Sequence, residues 1–221
     1  MNSKKAVFID IDNTIVNGTT VVILGKCFLE QKFISYFFLI RLVFWYILYK
    51  LNLLKEFKNI IDKNNHILNA FKVDAMGSTE KAFKDKLQKN IFSEMQQKLN
   101  TMHEEGYTII YVSSTFVPLA NILKDIIGFG DIIATEIDIQ DGYYTGYPKG
   151  EICYGKEKAM RIKEYATTKN INLKESYAFS DHISDLPMLN LVGNPIAVNP
   201  SKPLKRIAKK NNWPIYKFKK I

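Results

Sequence analysis

The sequence is poor in residues that staple or ligate. Among 221 residues there are two cysteines, Cys27 and Cys153, and three histidines. Two cysteines cannot build a disulfide framework, so a reducing compartment is expected. They cannot make a zinc site unaided either, and His66, His103 and His182 show no ligand spacing with them. Glycine and proline nearly vanish between about Gly18 and Leu87. No long apolar stretch opens the chain; Met1–Lys5 leads straight into a strand pattern, so no secretory signal is expected. Acidic residues stop at Asp185.

What is present is ordinary for a globular chain: 47% hydrophobic and 24% charged residues. Those values exclude disordered, collagen-like and coiled-coil classes. The length suits one core domain with one insertion. The net charge is +9. Eight basic residues, from Lys202 to Lys220, follow the last acid; the other 23 nearly balance the 22 acidic residues. This tail is a solvated helix face, or a surface that attracts anionic lipid or a phosphorylated substrate. Nucleic acid is not expected, because neither aromatic interleaving nor a groove-reading motif accompanies the charge.

Apolar β-branched runs alternate with helical periodicity along most of the chain. Strands are expected at Ala6–Asp10, Thr108–Val112 (stopped by Ser113-Ser114-Thr115), Asp131–Thr135, Ser176–Ser180, Pro195–Val198 and Ile215–Phe218. Asp141-Gly142 between apolar runs predicts a hairpin over Ile137–Tyr147. Helices are expected at about Ile91–Glu105, closed by Gly106, and at Pro118–Ile127, Lys156–Thr168, Leu186–Leu191 and Leu204–Asn211. Several more are expected between Gly18 and Leu87. Alternating strands and helices imply an α/β fold with a mostly parallel sheet flanked by helices. Ligands then bind beyond the carboxyl ends of the strands, where Asp10, Asp12, Ser113 and Asp181 all fall.

Within the helical stretch, Phe33–Tyr49 has only Ser35 and Arg41 as polar residues and is rich in aromatics. As a helix it would reach about 26 Å. That is short of the roughly 30 Å hydrocarbon layer, and Arg41 sits at its middle. Three readings stay open: a spanning helix, an interfacial helix on lipid, and a helix packed internally or against a second subunit. The last is the expectation, with a homodimer through this apolar surface.

Four elements carry chemistry. Asp10-Ile11-Asp12-Asn13-Thr14 follows a strand, so both carboxylates can face one cavity. Like charges that close need a cation, and hard oxygen ligands suit magnesium. Ser113 can donate to a phosphate oxygen, or can cap the next helix. Lys156, Lys158 and Lys163 are candidate cations on one helix. Asp181 and Asp185 can set one carboxylate on a metal and the other behind it; Ser184 or Asp185 can instead cap the helix that follows.

In that order, with Cys153-Tyr154-Gly155-Lys156-Glu157-Lys158, Ser180-Asp181-His182-Ile183-Ser184-Asp185-Leu186-Pro187 and Val192–Pro200, these motifs resemble the haloacid dehalogenase superfamily. The likeness is to its subfamily IB branch of phosphoserine phosphatase-like enzymes, and it covers nearly the whole chain. It implies a Rossmann-like core formed by residues 1–17 and 89–221. It also implies a helical C1-type cap, residues 18–88, inserted between the first and second motifs.

The resemblance further implies a magnesium-dependent phosphatase of a small-molecule phosphate ester. Asp10 would be the nucleophile and Asp12 the general acid and base. Lys158 would neutralise the transferring group, and Thr14 and Ser113 would hold phosphate oxygens. Magnesium would be held by Asp10, the backbone carbonyl of Asp12 and Asp181, with Asp185 orienting the metal shell.

The sequence departs from phosphoserine phosphatases at Thr19, where those enzymes carry a glutamate that reads the substrate amino group. Ser114 and Thr115 replace their glycines. A small or amphipathic metabolite is therefore the expected substrate. The alternative is a lipid phosphate at an anionic membrane surface, as in the phosphatidylglycerophosphate phosphatases. The expected location is cytoplasmic, or peripheral at the inner membrane face.

Overall fold

The computed structural model describes residues 3–32, 40, 44 and 77–219. Its strands are β1 (Ala6–Ile9), β2 (Thr108–Phe116), β3 (Asp131–Thr135), β4 (Ile137–Gln140), β5 (Tyr143–Pro148), β6 (Tyr177–Ser180), β7 (Asn194–Val198) and β8 (Ile215–Tyr216). Six of them form the frame, a parallel sheet in the order β3-β2-β1-β6-β7-β8. β4 and β5 make a separate antiparallel hairpin. Its turn, Asp141-Gly142, has φ of 52° and 79°, the pair of positive angles that a tight hairpin turn demands.

The helices are α1 (Thr20–Glu30), α2 (Gly77–Lys89), α3 (Ser93–Glu104), α4 (Val117–Ile127), α5 (Lys156–Lys169), α6 (Leu186–Leu189) and α7 (Lys202–Lys210). The central strands are buried on both faces, as parallel strands covered by helices must be. Val7 and Ile9 of β1, with Ile109 and Tyr111 of β2, face one core containing Phe83, Leu87, Met95, Leu99 and Leu123. The alternate residues Ala6, Phe8, Ile110 and Val112 face another, with Ile162, Leu189, Leu204 and Ala208. The period of two thus divides each strand between two cores.

One strand runs further than its sequence suggests. The hydroxyl run Ser113-Ser114-Thr115 does not stop β2, which continues to Phe116. It bulges instead: from Val112 to Phe116 the strand takes four steps while β3 takes two, Ile133 to Thr135. Hydroxyl groups replace the lost ladder bonds. Thr115 N–H donates to Ser113 Oγ at 3.1 Å, and Thr135 Oγ1 donates to the Ser114 carbonyl at 2.9 Å. A bulge beside a site re-aims its side chains.

The chain leaves β1 for α1 and returns from α2, and the two linkers pair. Asn17 N–H donates to the Asn90 carbonyl at 2.7 Å, and Phe92 N–H to the Ile15 carbonyl at 2.9 Å. The middle of the expected insertion and most of Phe33–Tyr49 lie outside the described residues. Of that aromatic run, Ile40 and Phe44 are described; both are helical, and they are 56% and 55% exposed. Among the described residues, no helix is long and apolar enough to cross a membrane.

Candidate active site

β1 ends at Ile9, paired with Phe179 of β6 on one side and Tyr111 of β2 on the other. That register carries Asp10, Ser113 and Asp181 to one edge of the sheet. Asp10 N–H still donates to the Phe179 carbonyl at 3.0 Å, so the backbone of Asp10 is fixed by the sheet itself. The chain then coils tightly. Thr14, Ile15 and Val16 N–H groups all turn back on the Ile11 carbonyl, and Asn13 takes φ of 58°. Asn tolerates that left-handed conformation better than most residues. The coil returns Thr14 to the carboxylate it follows; Thr14 Oγ1 lies 3.3 Å from Asp10 Oδ2.

Of the three candidate lysines, the structure brings Lys158 to this edge. It is buried, whereas Lys156 and Lys163 are exposed on α5. Gly155 immediately precedes α5 at φ 56° and ψ −117°, a conformation that needs glycine. Lys158 Nζ then donates to Asp10 Oδ1 at 2.5 Å and to Asp185 Oδ2 at 2.9 Å. Asp185 Oδ2 also accepts from Ser180 Oγ at 2.8 Å. Asp185 does occupy the N-cap position of α6, but its side chain makes no capping bond. It turns inward to the lysine.

Asp12 and Ser113 are held differently. Asp12 Oδ1 accepts from the backbone N–H of Thr20 at 2.8 Å. Ser113 Oγ accepts the Thr115 N–H. Asp181 is half-buried in the loop after β6, where its carbonyl accepts the Ser201 N–H at 2.8 Å. Beside it, His182 Nδ1 and Ser184 Oγ are 2.9 Å apart.

The electrostatics follow from burial. Asp10, Asp12, Asp185 and Lys158 are all buried, and the Lys158 ammonium is shared by two of the carboxyl groups, Asp10 and Asp185. The Asp10 carboxyl is pushed up from 3.8 to about 7: burial raises it most, Lys158 pulls it down, and Asp185 and Asp12 raise it. For Lys158, burial lowers the affinity for its proton, but Asp10 and Asp185 outweigh it and hold the ammonium above the ordinary lysine value. Asp185 Oδ1 is buried with no hydrogen-bond partner among the described residues.

An excess of buried negative charge with an orphaned carboxylate oxygen fits a divalent cation. Among the described residues, no three carboxylate, histidine or cysteine side chains converge as a ready metal cage. A cation here would therefore lean on backbone carbonyl and water oxygens, which is the habit of magnesium rather than of zinc.

Three residues of the site were not singled out from sequence: Ser180, Thr20 and, as a bonding group, Thr115. Ser180 had a signal, its place at a strand end one residue before Asp181. Thr20 had none, since its hydroxyl and N–H act across long separations.

A family model described as haloacid dehalogenase-like hydrolase matches residues 7–190. A protein of Mycobacterium tuberculosis (strain H37Rv) named phosphoserine phosphatase SerB1 is 30% identical over 220 residues, covering 97% of this chain and 71% of that one. A crystal structure of a protein from Bordetella pertussis Tohama I superposes with a TM-score of 0.85 at 20% identity, covering 97% and 99% of the two chains. A structure described as a phospho-aspartyl intermediate analogue of phosphoserine phosphatase superposes at 0.68 with 21% identity, covering 99% and 95%. At these identities the two structures attest the fold alone. The family model and the mycobacterial relative go further: the chain belongs to the haloacid dehalogenase-like hydrolases.

Proposed function

We propose that this hydrolase is a magnesium-dependent phosphomonoester phosphatase of the phosphoserine phosphatase-like branch, subfamily IB, acting through a phosphoaspartate on Asp10. The observation that carries the reading is the buried bridge from Lys158 to Asp10 and Asp185 at the edge where the strands end. The name borne by the mycobacterial relative supports it, as does the phospho-aspartyl analogue in a phosphoserine phosphatase of the same fold.

In this reading a carboxylate oxygen of Asp10 bonds to phosphorus as the ester P–O bond breaks. Asp12 gives its proton to the departing alkoxide. Asp12 then takes a proton from water, whose oxygen attacks phosphorus and frees Asp10. Lys158 neutralises the charge spread over the transferring group. Thr14 and Ser113 hold its oxygens; the Ser113 oxygen already accepts the Thr115 N–H, which leaves its own proton to donate. Asp10, the Asp12 carbonyl and Asp181 would hold the magnesium, with Asp185 behind. When bound, the ion supplies the positive charge that lets a phosphate dianion approach three buried carboxylates.

The substrate in this reading is a small or amphipathic phosphorylated metabolite rather than phosphoserine, because no acidic residue stands between Asp12 and Glu30. A second reading, a lipid phosphate at an anionic membrane surface, is favoured by the exposed apolar pair Ile40 and Phe44. Cap limits at residues 18–88, a homodimer through that apolar surface and a cytoplasmic setting complete the proposal.

The test is phosphate release, with and without magnesium, over soluble phosphomonoesters and lysolipid and glycerolipid phosphates. Soluble esters turning over best supports the first reading, and lipid esters the second. Asp10→Asn should lower release by about 10⁴-fold or more, the scale on which deleting a covalent nucleophile acts. Release at the wild-type rate in that variant would refute the nucleophile.

A further inference from the structure

One chain of hydrogen bonds joins the Asp12 carboxylate to the Ser113 hydroxyl through two threonines. Thr20 is the first residue of α1, and its N–H is one of those a helix start leaves unsatisfied. The N-cap residue Thr19 makes no side-chain bond to it. Asp12, eight residues upstream, caps it instead. The positive end of α1, with no acidic residue of its own in the first turn, thus meets the Asp12 carboxylate. The Thr20 hydroxyl continues the chain, donating to Thr115 Oγ1 at 3.1 Å. Thr115 N–H in turn donates to Ser113 Oγ. All four residues are buried, Thr20 completely.

We infer that Thr20 and Thr115 are positioning residues, which fix the Asp12 carboxylate relative to Ser113 through the first turn of α1. The inference rests on the proposed role of Asp12 as proton donor. A buried hydroxyl pair is costly to separate, so the start of α1 and the bulge of β2 keep one relation. Threonine at 115 builds the link; glycine there would leave Thr20 Oγ1 without this partner. The proton donor is then set by the inserted segment, and the phosphate-holding hydroxyl by the same segment through two threonines.

Position 20 permits an uncommonly clean test. Proline suits the first position of a helix, and Thr19 is already extended (φ −111°, ψ 136°), as a residue before proline must be. Thr20→Pro therefore removes the N–H that holds Asp12, and the hydroxyl with it. Thr20→Val and Thr115→Val each remove a hydroxyl and keep the N–H; Thr20→Ser keeps both.

The readout is kcat/KM for para-nitrophenyl phosphate, whose leaving group departs unprotonated, against an alkyl phosphate, which needs a proton. This parameter covers the steps up to loss of the leaving group. Thr20→Pro should raise the nitrophenyl-to-alkyl ratio by about tenfold to a hundredfold, a part of the roughly 10²–10⁴-fold that general acid catalysis supplies, because the acid is loosened and not removed. The two valine variants should raise it less, and Thr20→Ser should restore the wild-type ratio. Equal losses on both esters, or an unchanged ratio in every variant, would overturn the inference. Wild-type protein inactive on both esters would instead refute the phosphatase reading, and this one with it.

Discussion

Asp10 and Asp12 leave one strand two residues apart, yet their partners come from different parts of the chain. Asp10 is held by the sheet through its backbone and by Lys158 of α5 through its side chain. Asp12 is held by α1, where the chain departs into its inserted segment. The first set of bonds is internal to the α/β core; the second ties the core to the first helix after β1. In the proposed mechanism the contrast matches two needs. A group that bonds to phosphorus must keep a fixed line of approach. A group that delivers a proton must keep register with the leaving group, which the inserted segment would cover. The two tethers can be broken separately.

The largest effect is expected on the Asp10 side. Lys158→Met leaves Asp10 and Asp185 buried without their shared ammonium, and Lys158, Asp10 and Asp185 side chains are only 3%, 9% and 3% exposed. Removing one partner from a buried ion pair costs about 3–5 kcal/mol. Urea unfolding in EDTA should show a loss of that order, and magnesium should recover part of it, because a ligand that binds only the folded state stabilises it. No loss in EDTA would mean that the carboxylates are not held as charges by this lysine.

The metal-free protein should also report the Asp10 environment through pH. Burial raises its folded pKa from 3.8 to about 7, so the folded state binds a proton that the unfolded chain has released. The stability this contributes is fully present below 3.8 and is lost as pH rises through about 7. Lys158 is shifted upward on the alkaline side and does not enter this window. Relative to Asp10→Asn, the melting temperature in EDTA should therefore fall between about pH 4 and pH 7. An equal slope in the two proteins would show that other groups carry it.

How much of this could be read beforehand depended on range. Local signals were legible. The Asp131–Thr135 strand has the limits its apolar run predicts, and Gly106 takes φ of 86° just past α3, as a helix-ending glycine does. The Asp141-Gly142 turn was likewise written in the sequence. The bulge of β2 was not, because beside the local Thr115–Ser113 bond it depends on Thr135 of β3, whose hydroxyl donates to the Ser114 carbonyl and accepts the Cys153 N–H, and periodicity is silent on such long-range bonds. Helical spacing could not choose among Lys156, Lys158 and Lys163; burial of one face of α5 against the sheet, together with the turn at Gly155, makes the choice. The hydroxyl of Thr20 was invisible for the same reason, and Ser180 offered only its place at a strand end. A single threonine or serine carries no pattern, and its partner is found only when the chain is folded.

The smallest expected effect lies at that turn. At Gly155 a Cβ would meet nothing nearer than the Ser184 carbonyl oxygen, at 3.7 Å, so alanine has room. What alanine lacks is the conformation, since φ of 56° with ψ of −117° is strained for any residue with a Cβ. Gly155→Ala should cost about 1–3 kcal/mol of stability, the usual range for a strained backbone. The strain can be relieved only by turning the start of α5, which carries Lys158 three residues on. Turnover should therefore fall for nitrophenyl and alkyl esters alike, because in the proposed mechanism the lysine serves the phosphoryl group and not the proton. That equal fall is the counterpart of the unequal one expected from Thr20→Pro. Should Gly155→Ala instead separate the two esters, the tethers of Asp10 and Asp12 would be one network, and the division between core and inserted segment would fail.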